Sequence, residues 1–366
     1  MPVRSAQKAL QRDTVGGWLG VNLRRDRLAL ADEDVARAIN ADFHRQPGAA
    51  VLRLGRTAQF PTALTATIRR LAKHNGRRYQ LAGTVLYANQ VSILTGLSTT
   101  LFTTLHPFRS LNDTTEWVFI ADPALMRKYD GTTVRNWGIA APTAAATIAV
   151  GAAGSLTGSY RARYTYARVV GTLVATESNP SAVPTAVTLT NQVLSVTVVA
   201  STDAQVTNIR VYRTVAGGST YLFDQQVANT GATLTSSIAD TALGAVVETD
   251  NAVPNVQGWV TEFQGHLFLC RDAVNPHYLW WSKRFREEVP TRNFLEIGHP
   301  SDALQGAFPL AGFLGVFSRL SKYRVVGNAT SGFTWLEALS SRGTPAAHAA
   351  VVTAQGVVFP ARDGVY

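Results

Sequence analysis

Residues 311–327 read AGFLGVFSRLSKYRVVG. Two short apolar runs flank a polar turn at 318–321, with Gly312 and Gly327 near the two ends. Phe313 and Phe317 share one face of the first run, and Tyr323 and Val325 share one face of the second. A period of two in both runs, with a short polar turn between them, predicts a β-hairpin. The fold depends on whether this hairpin stands alone or recurs.

It recurs. GHLFLCRDAVNPHYLWWSK (265–283), EWVFIADPALMRKYDGTTVRNWGI (116–139), RYQLAGTVLYANQVSILTG (78–96) and AQGVVFPARDGVY (354–366) follow the same scheme. Their turns fall at Ala88-Asn89-Gln90, Asp122-Pro123 and Asp130-Gly131, residue types that break regular structure. The anchors Phe268, Phe317 and Phe359 are 49 and 42 residues apart. Phe119 and Phe268 are 149 apart, and removing an insert at 143–253 leaves 38. A spacing of about 40–50 residues with paired strands in each unit is that of β-propeller blades. Unrelated hairpins in one large sandwich or barrel are the alternative.

The insert has its own character. Residues 143–253 carry five arginines, no lysine and six acids, a net charge of −1, which leaves +11 on the rest of the chain. The entry PTAAATIAVGAAGSLTG (142–158) reads as a small-residue linker. Six or seven strand signals follow, beginning with SYRARYTYARVVG (159–171), where Tyr160, Tyr164 and Tyr166 share one face and Arg161, Arg163 and Thr165 the other. This describes a fibronectin-type-III-like sandwich. The expected fold is therefore all-β: propeller-like blades over 47–142 and 254–366, the sandwich over 143–253, and an N-terminal arm over 1–46. Within that arm ADEDVARAIN (31–40) reads as one short helix, with Asp32 as N-cap and an apolar stripe of Val35, Ala36 and Ile39.

Composition bounds the function. With 46% apolar and 16% charged residues the chain can bury a substantial core. The single cysteine, Cys270, excludes an intrachain disulfide and sits in the apolar HLFLC run, a packing position. No N-terminal signal-peptide pattern and no membrane-length apolar run is present. The expected setting is a soluble chain made in the cytoplasm.

No catalytic constellation emerges. No two of the seven histidines have the spacing of helix-borne zinc ligands; His266 and His277 flank one hairpin and read as partly exposed strand-end residues. VGAAGSLTGS (150–159) lacks the lysine and the following helix of a phosphate loop. Glu287 and Glu288, a conceivable acid–base pair, lie in RFREEVPTR, which reads as a solvated loop. No catalytic, metal or cofactor residue is expected.

Two features remain as candidate interaction residues. The basic clusters are Arg24, Arg25 and Arg27, then Arg69, Arg70, Lys73, Arg77 and Arg78. They suit subunit contacts, a solvated face, or non-specific phosphate contact. Trp280 and Trp281 alternate in strand register, so one of them is expected to face outward as an interface aromatic or to fill a blade-to-blade contact.

INADFHRQPGAAVLRLG (39–55), MRKYDGTTVRNWGIAAPT (126–143), YTYARVVGTLVATESNPS (164–181), IRVYRTVAGGSTYLF (209–223), IADTALGAVVETDNAVP (238–254), GHLFLCRD and LWWSKRF follow one another in this chain. In that order the chain resembles tail structural proteins of tailed bacteriophages, in particular the propeller-bearing nozzle or tail-tube proteins of short-tailed phages. The resemblance implies a homo-oligomeric ring of several copies, such as a hexamer, that continues the DNA-ejection channel of the virion tail. It implies assembly in the host cytoplasm, docking to adaptor and fibre proteins, and transient non-specific DNA contact. Such proteins continue through further blades, so the chain is expected to extend past GVVFPARDGVY. A carbohydrate-binding or carbohydrate-cleaving propeller and a nucleic-acid-associated scaffold are the other readings.

Overall fold

The computed structural model describes residues 64, 66–99, 102–328, 330–337, 342–354 and 356–366, together with the backbone of four two-residue strands nearer the N-terminus. The chain divides into two units, 1–63 and 64–366. In the first, Gly20–Val21 pairs in parallel with Asp34–Val35, and Ala41–Asp42 pairs antiparallel with Val51–Leu52. Asp34 and Val35 thus form a strand inside the segment expected to be a helix, and no α-helix occurs among the described residues. An isolated helix of ten residues with a three-residue stripe is marginal on its own, and a β-branched Val35 fits a ladder as readily. The rest of 31–40 lies outside the described residues.

The second unit is all-β. Four of its sheets are four-stranded antiparallel meanders in which every strand pairs with its sequence neighbour. Sheet A comprises Ile68–His74, Arg77–Ala82, Val85–Ala88 and Val91–Leu94. Sheet B comprises Thr104–Phe108, Trp117–Asp122, Leu125–Tyr129 and Val134–Asn136. Sheet E comprises Trp259–Phe263, His266–Cys270, Tyr278–Trp281 and Phe294–Glu296. Sheet F comprises Leu304–Leu310, Phe313–Ser318, Lys322–Asn328 and Gly332–Glu337. The hairpin at 311–327 is the centre of sheet F.

These sheets stack face to face in chain order. Tyr79, Leu81 and Leu86 of sheet A meet Val118 and Ile120 of sheet B. The alternate residues of that strand, Trp117, Phe119 and Ala121, turn the other way onto Val260, Leu267 and Leu269 of sheet E. Sheet E repeats the device: Phe268 and Cys270 face Leu304, Phe308 and Leu314 of sheet F. Trp117–Asp122 and His266–Cys270 are consequently buried at every position. This is why both read as continuous apolar runs without alternation. Truncating a fully buried ring such as Phe119 to alanine costs about 3–5 kcal/mol.

Among the described residues, several large apolar side chains are exposed on sheet A and beyond sheet F. Ile68 and Leu71 on sheet A are exposed, as are Val351, Val352, Val358 and Val365 in the two short hairpins that follow sheet F. Phe359, between those hairpins, packs on Phe317 with ring centroids 4.8 Å apart.

Between sheets B and E the chain builds a two-layer body. Sheet C orders Thr147–Tyr160, Val187–Val198 and Ala232–Ser236; sheet D orders Leu173–Glu177, Ala162–Val170, Asn208–Arg213 and Leu222–Ala228. Tyr164, Tyr166, Ile209 and Val211 from sheet D meet Leu189, Leu194 and Val196 from sheet C. The glycine-rich 150–159 stretch, expected to be a linker, is the middle of the longest strand. Its small residues are needed there: a Cβ at Gly151 or Gly154 would lie 2.6 or 2.5 Å from the Val193 side chain.

Candidate interaction surface and the buried polar junction

The basic residues of sheet A separate into two groups. The Arg69 guanidinium donates to the carbonyls of Gly83 (2.7 Å), Ser98 and Thr99 (3.2 Å), tying the first strand to the turn and to the segment leaving the sheet. Arg70 Nη1 donates to the Thr103 carbonyl at 3.1 Å, and the Arg77 guanidinium lies against Gly131. These three brace the fold. Lys73 stands directly opposite Arg78 across the hairpin, on the face that alternates with the core pair Ala72 and Tyr79 and so turns away from sheet B. Like charges in that register oppose pairing by a few tenths of a kcal/mol. Arg24, Arg25 and Arg27 lie outside the described residues.

Trp280 and Trp281 point to opposite faces. Trp280 packs with the cluster between sheets B and E, and Trp281 with that between E and F. Trp281 meets Phe333 edge to face at 5.4 Å. Both rings are half-buried sheet-to-sheet contacts.

The strongest polar constellation is one the sequence reading placed in solvent. Glu287 and Glu288 are each 1% exposed. Lys128 Nζ, from sheet B, donates to both Glu287 oxygens at 2.6 and 2.8 Å, and Thr176 Oγ1, from sheet D, donates to Oε1 at 2.9 Å. Lys128 also lies 4.7 Å from the Trp117 ring centroid. Trp137 Nε1 donates to the Glu287 carbonyl at 3.0 Å. Burial raises the Glu287 carboxyl above the ordinary glutamate value, against the pull of Lys128. Glu288 Oε1 accepts the backbone N–H of Glu177 at 3.1 Å, capping the edge strand of sheet D, and the Arg286 guanidinium forks onto both its oxygens at 3.0 Å. The bond occupies one outward-facing N–H of that edge strand.

The network extends on both sides. Glu177, nearly buried, accepts from Thr165 Oγ1 (2.5 Å), Tyr212 Oη (2.6 Å) and Arg210 Nη1 (2.5 Å). Burial and the Glu177 carboxylate hold the Tyr212 phenol well above the usual tyrosine range. Toward solvent, Glu248 pairs with Arg286 and Lys283, and Lys283 also reaches Asp250 at 2.6 Å. A second strut joins Arg168 of sheet D to Asp113 at 2.9 Å, and Asp113 accepts Trp117 Nε1 at 2.9 Å. The cleft of about 310 Å³ at this junction has Glu177, Arg210, Glu248 and Arg286 as its charged walls. All four are paired with one another or with neighbours.

His266, expected at a partly exposed strand end, is buried: its Nδ1 lies 2.7 Å from the Ser282 carbonyl, where it serves as donor. Cys270 is fully buried in the E–F core, a packing position as expected. Among the described residues no three His, Cys, Asp or Glu side chains come together as a metal site.

Comparison of the chain with protein-family models and with curated proteins returns no match.

Two sequence signals bore on the junction. Lys128 is one of only five lysines and sits in an otherwise strand-like LMRKY run, and the Glu287-Glu288 pair precedes Val289-Pro290. Neither signal carries the 159-residue separation that makes them partners.

Proposed function

We propose that this protein is a non-enzymatic structural component of a bacteriophage tail, a nozzle or tail-tube subunit built from β-propeller-type blades with a fibronectin-like insert. The observation that carries this reading is the chain-order stacking of four meander sheets, with a two-layer body inserted between the second and third and joined to them by the polar network around Lys128, Glu287 and Glu288. Consecutive four-stranded meanders packed face to face are the construction of propeller blades. The order of blade, insert and resumed blades follows the motifs of the resemblance. Exposed valines and leucines at both ends of the stack are surface that a ring of subunits would bury. The polar junction supports a mechanical role, since its acids and bases are engaged with one another.

Native mass spectrometry of the purified full chain, with electron microscopy of the same sample, tests the reading. A closed ring of several copies is the expected result. A monomer that binds or cleaves a surface glycan would overturn it.

A further inference from the structure

The basic hairpin of sheet A closes on a chemically reactive turn. Asn75-Gly76, the chain's one Asn-Gly dipeptide, connects Ile68–His74 to Arg77–Ala82. Both residues are left-handed, at φ +46° and +74°, in the two-residue turn that this dipeptide favours between paired strands. Both are exposed, and a Cβ added at Gly76 would meet nothing within 4 Å. Three other asparagines among the described residues share the left-handed conformation, and their side chains are held. Asn89 Oδ1 accepts the Arg78 N–H at 2.9 Å, Asn112 Nδ2 donates to the Val174 carbonyl at 3.1 Å, and Asn191 Oδ1 accepts from Thr157 Oγ1 at 3.2 Å. They are followed by Gln90, Asp113 and Gln192, whose side chains crowd the backbone nitrogen. The Asn75 side chain has no hydrogen bond among the described residues, and the residue after it has no side chain.

The surroundings favour both opening of this turn and negative charge at it. Lys73 stands opposite Arg78 and His74 opposite Arg77, so the two pairs nearest the turn are basic on both strands. Like charges across a ladder weaken it, and the exposed end of a hairpin opens at low cost. Lys73, Arg77 and Arg78 also set up a positive field, which Glu116, 3.2 Å from His74, offsets only in part. A backbone nitrogen that has lost its proton is stabilised in such a field, as is the oxyanion formed when it attacks a carbonyl.

We infer that Asn75 is a site of spontaneous deamidation, a modification built into the basic hairpin. The Gly76 nitrogen gives up its proton and bonds to Asn75 Cγ, closing a succinimide ring as the side-chain nitrogen leaves as ammonia. Water then opens the ring at either carbonyl, giving aspartate or isoaspartate. Either product places a carboxylate between the basic pairs and removes part of the hairpin's positive charge. The isoaspartyl product also adds a carbon to the main chain of a two-residue turn, which disturbs the register of His74 and Arg77. The inference stands apart from the tail reading, since it rests on this turn alone.

The test is peptide mapping of the full chain after prolonged incubation at physiological pH and temperature, with an unincubated sample as reference. Chymotryptic digestion keeps Asn75 and its basic neighbours in one peptide. Progressive loss of the amide form of that peptide is expected, replaced by species with the mass of the acid, part of which an isoaspartyl methyltransferase labels. Peptides carrying Asn89, Asn112 and Asn191 are expected to keep their amides over the same period. On a cation exchanger the incubated protein should develop an earlier-eluting form, at the position of fresh Asn75→Asp protein and not formed by Asn75→Gln. An Asn75 amide that persists in the incubated protein, or conversion no faster than at Asn89, Asn112 or Asn191, overturns the inference.

Discussion

Lys128 and Glu287, 159 residues apart in sequence, form a two-pronged ion pair at 2.6 and 2.8 Å with each side chain 1% exposed. Because Thr176 bonds the same carboxylate, the pair joins sheet B, the loop between the third and fourth strands of sheet E and the edge of sheet D in one contact. Lys128→Met leaves a buried carboxylate without its cation, and a loss of about 3–5 kcal/mol is expected. Lys128→Met combined with Glu287→Gln removes both charges and should recover most of that loss. Urea unfolding of the two single variants and the double variant checks it; an additive double variant would mean the two residues do not act as a pair.

Arg69 and Lys73 lie four residues apart on one strand and should behave oppositely. Arg69→Ala strips charge-assisted bonds from three carbonyls and should lower stability by about 2–3 kcal/mol. Lys73→Ala, at an exposed position, should stay within about 0.5 kcal/mol. Denaturant midpoints measured side by side decide between bracing and surface roles.

Burial drives the His106 imidazole down to about 4, with His74 adding to the effect. His106 lies opposite Phe119 in sheet B. Its native value is below its unfolded value near 6.5, so between the two the unfolded chain binds the extra proton. Stability should therefore fall as pH drops from about 6.5 toward 4, by about 3 kcal/mol from this group, and be fully present above 6.5. Denaturant titrations across that window, with His106→Gln flattening the profile, test the assignment. The carboxyls lowered by their partners, Glu248 and Asp250 among them, lose their contribution only at lower pH.

The Cys270 thiol, fully buried, is pushed up to about 12 by its apolar surroundings. A thiol reagent at about pH 8 should leave the native protein unmodified and label one site per chain in denaturant. The slow rate of native labelling then measures opening of the E–F face. Prompt labelling of the native chain would place the thiol outside the core.

The meander sheets were legible because each is local. Every strand pair of sheet F lies within 34 residues, and its turns carry the glycines and polar residues that hairpins require. The both-faces burial of WVFIAD and HLFLC was legible for the same reason, as apolar runs without alternation. The polar junction was not. RFREEVP looks solvated because nothing near it in sequence neutralises two adjacent glutamates; their partners are Lys128, Thr176 and Glu177 N–H, set in place by tertiary packing alone. The 150–159 strand misled for a different reason. Its glycines read as flexibility, whereas they make room for Val193. The expected helix at 31–40 rested on a stripe of three residues, and strand pairing with Gly20–Val21 took Asp34 and Val35 instead.

The face between sheets B and E closes the longest loop in the stack. A–B and E–F join neighbours a few residues apart, but Asn136 and Trp259 bound the whole two-layer body. As an unstructured loop, that span would make the meeting of B and E slow and entropically costly. Once sheets C and D have folded, the same span becomes a short rigid bracket whose struts, Arg168–Asp113 and Thr176–Glu287, already point at their partners. Prior folding of the insert is therefore expected to shorten the loop that the B–E face has to close.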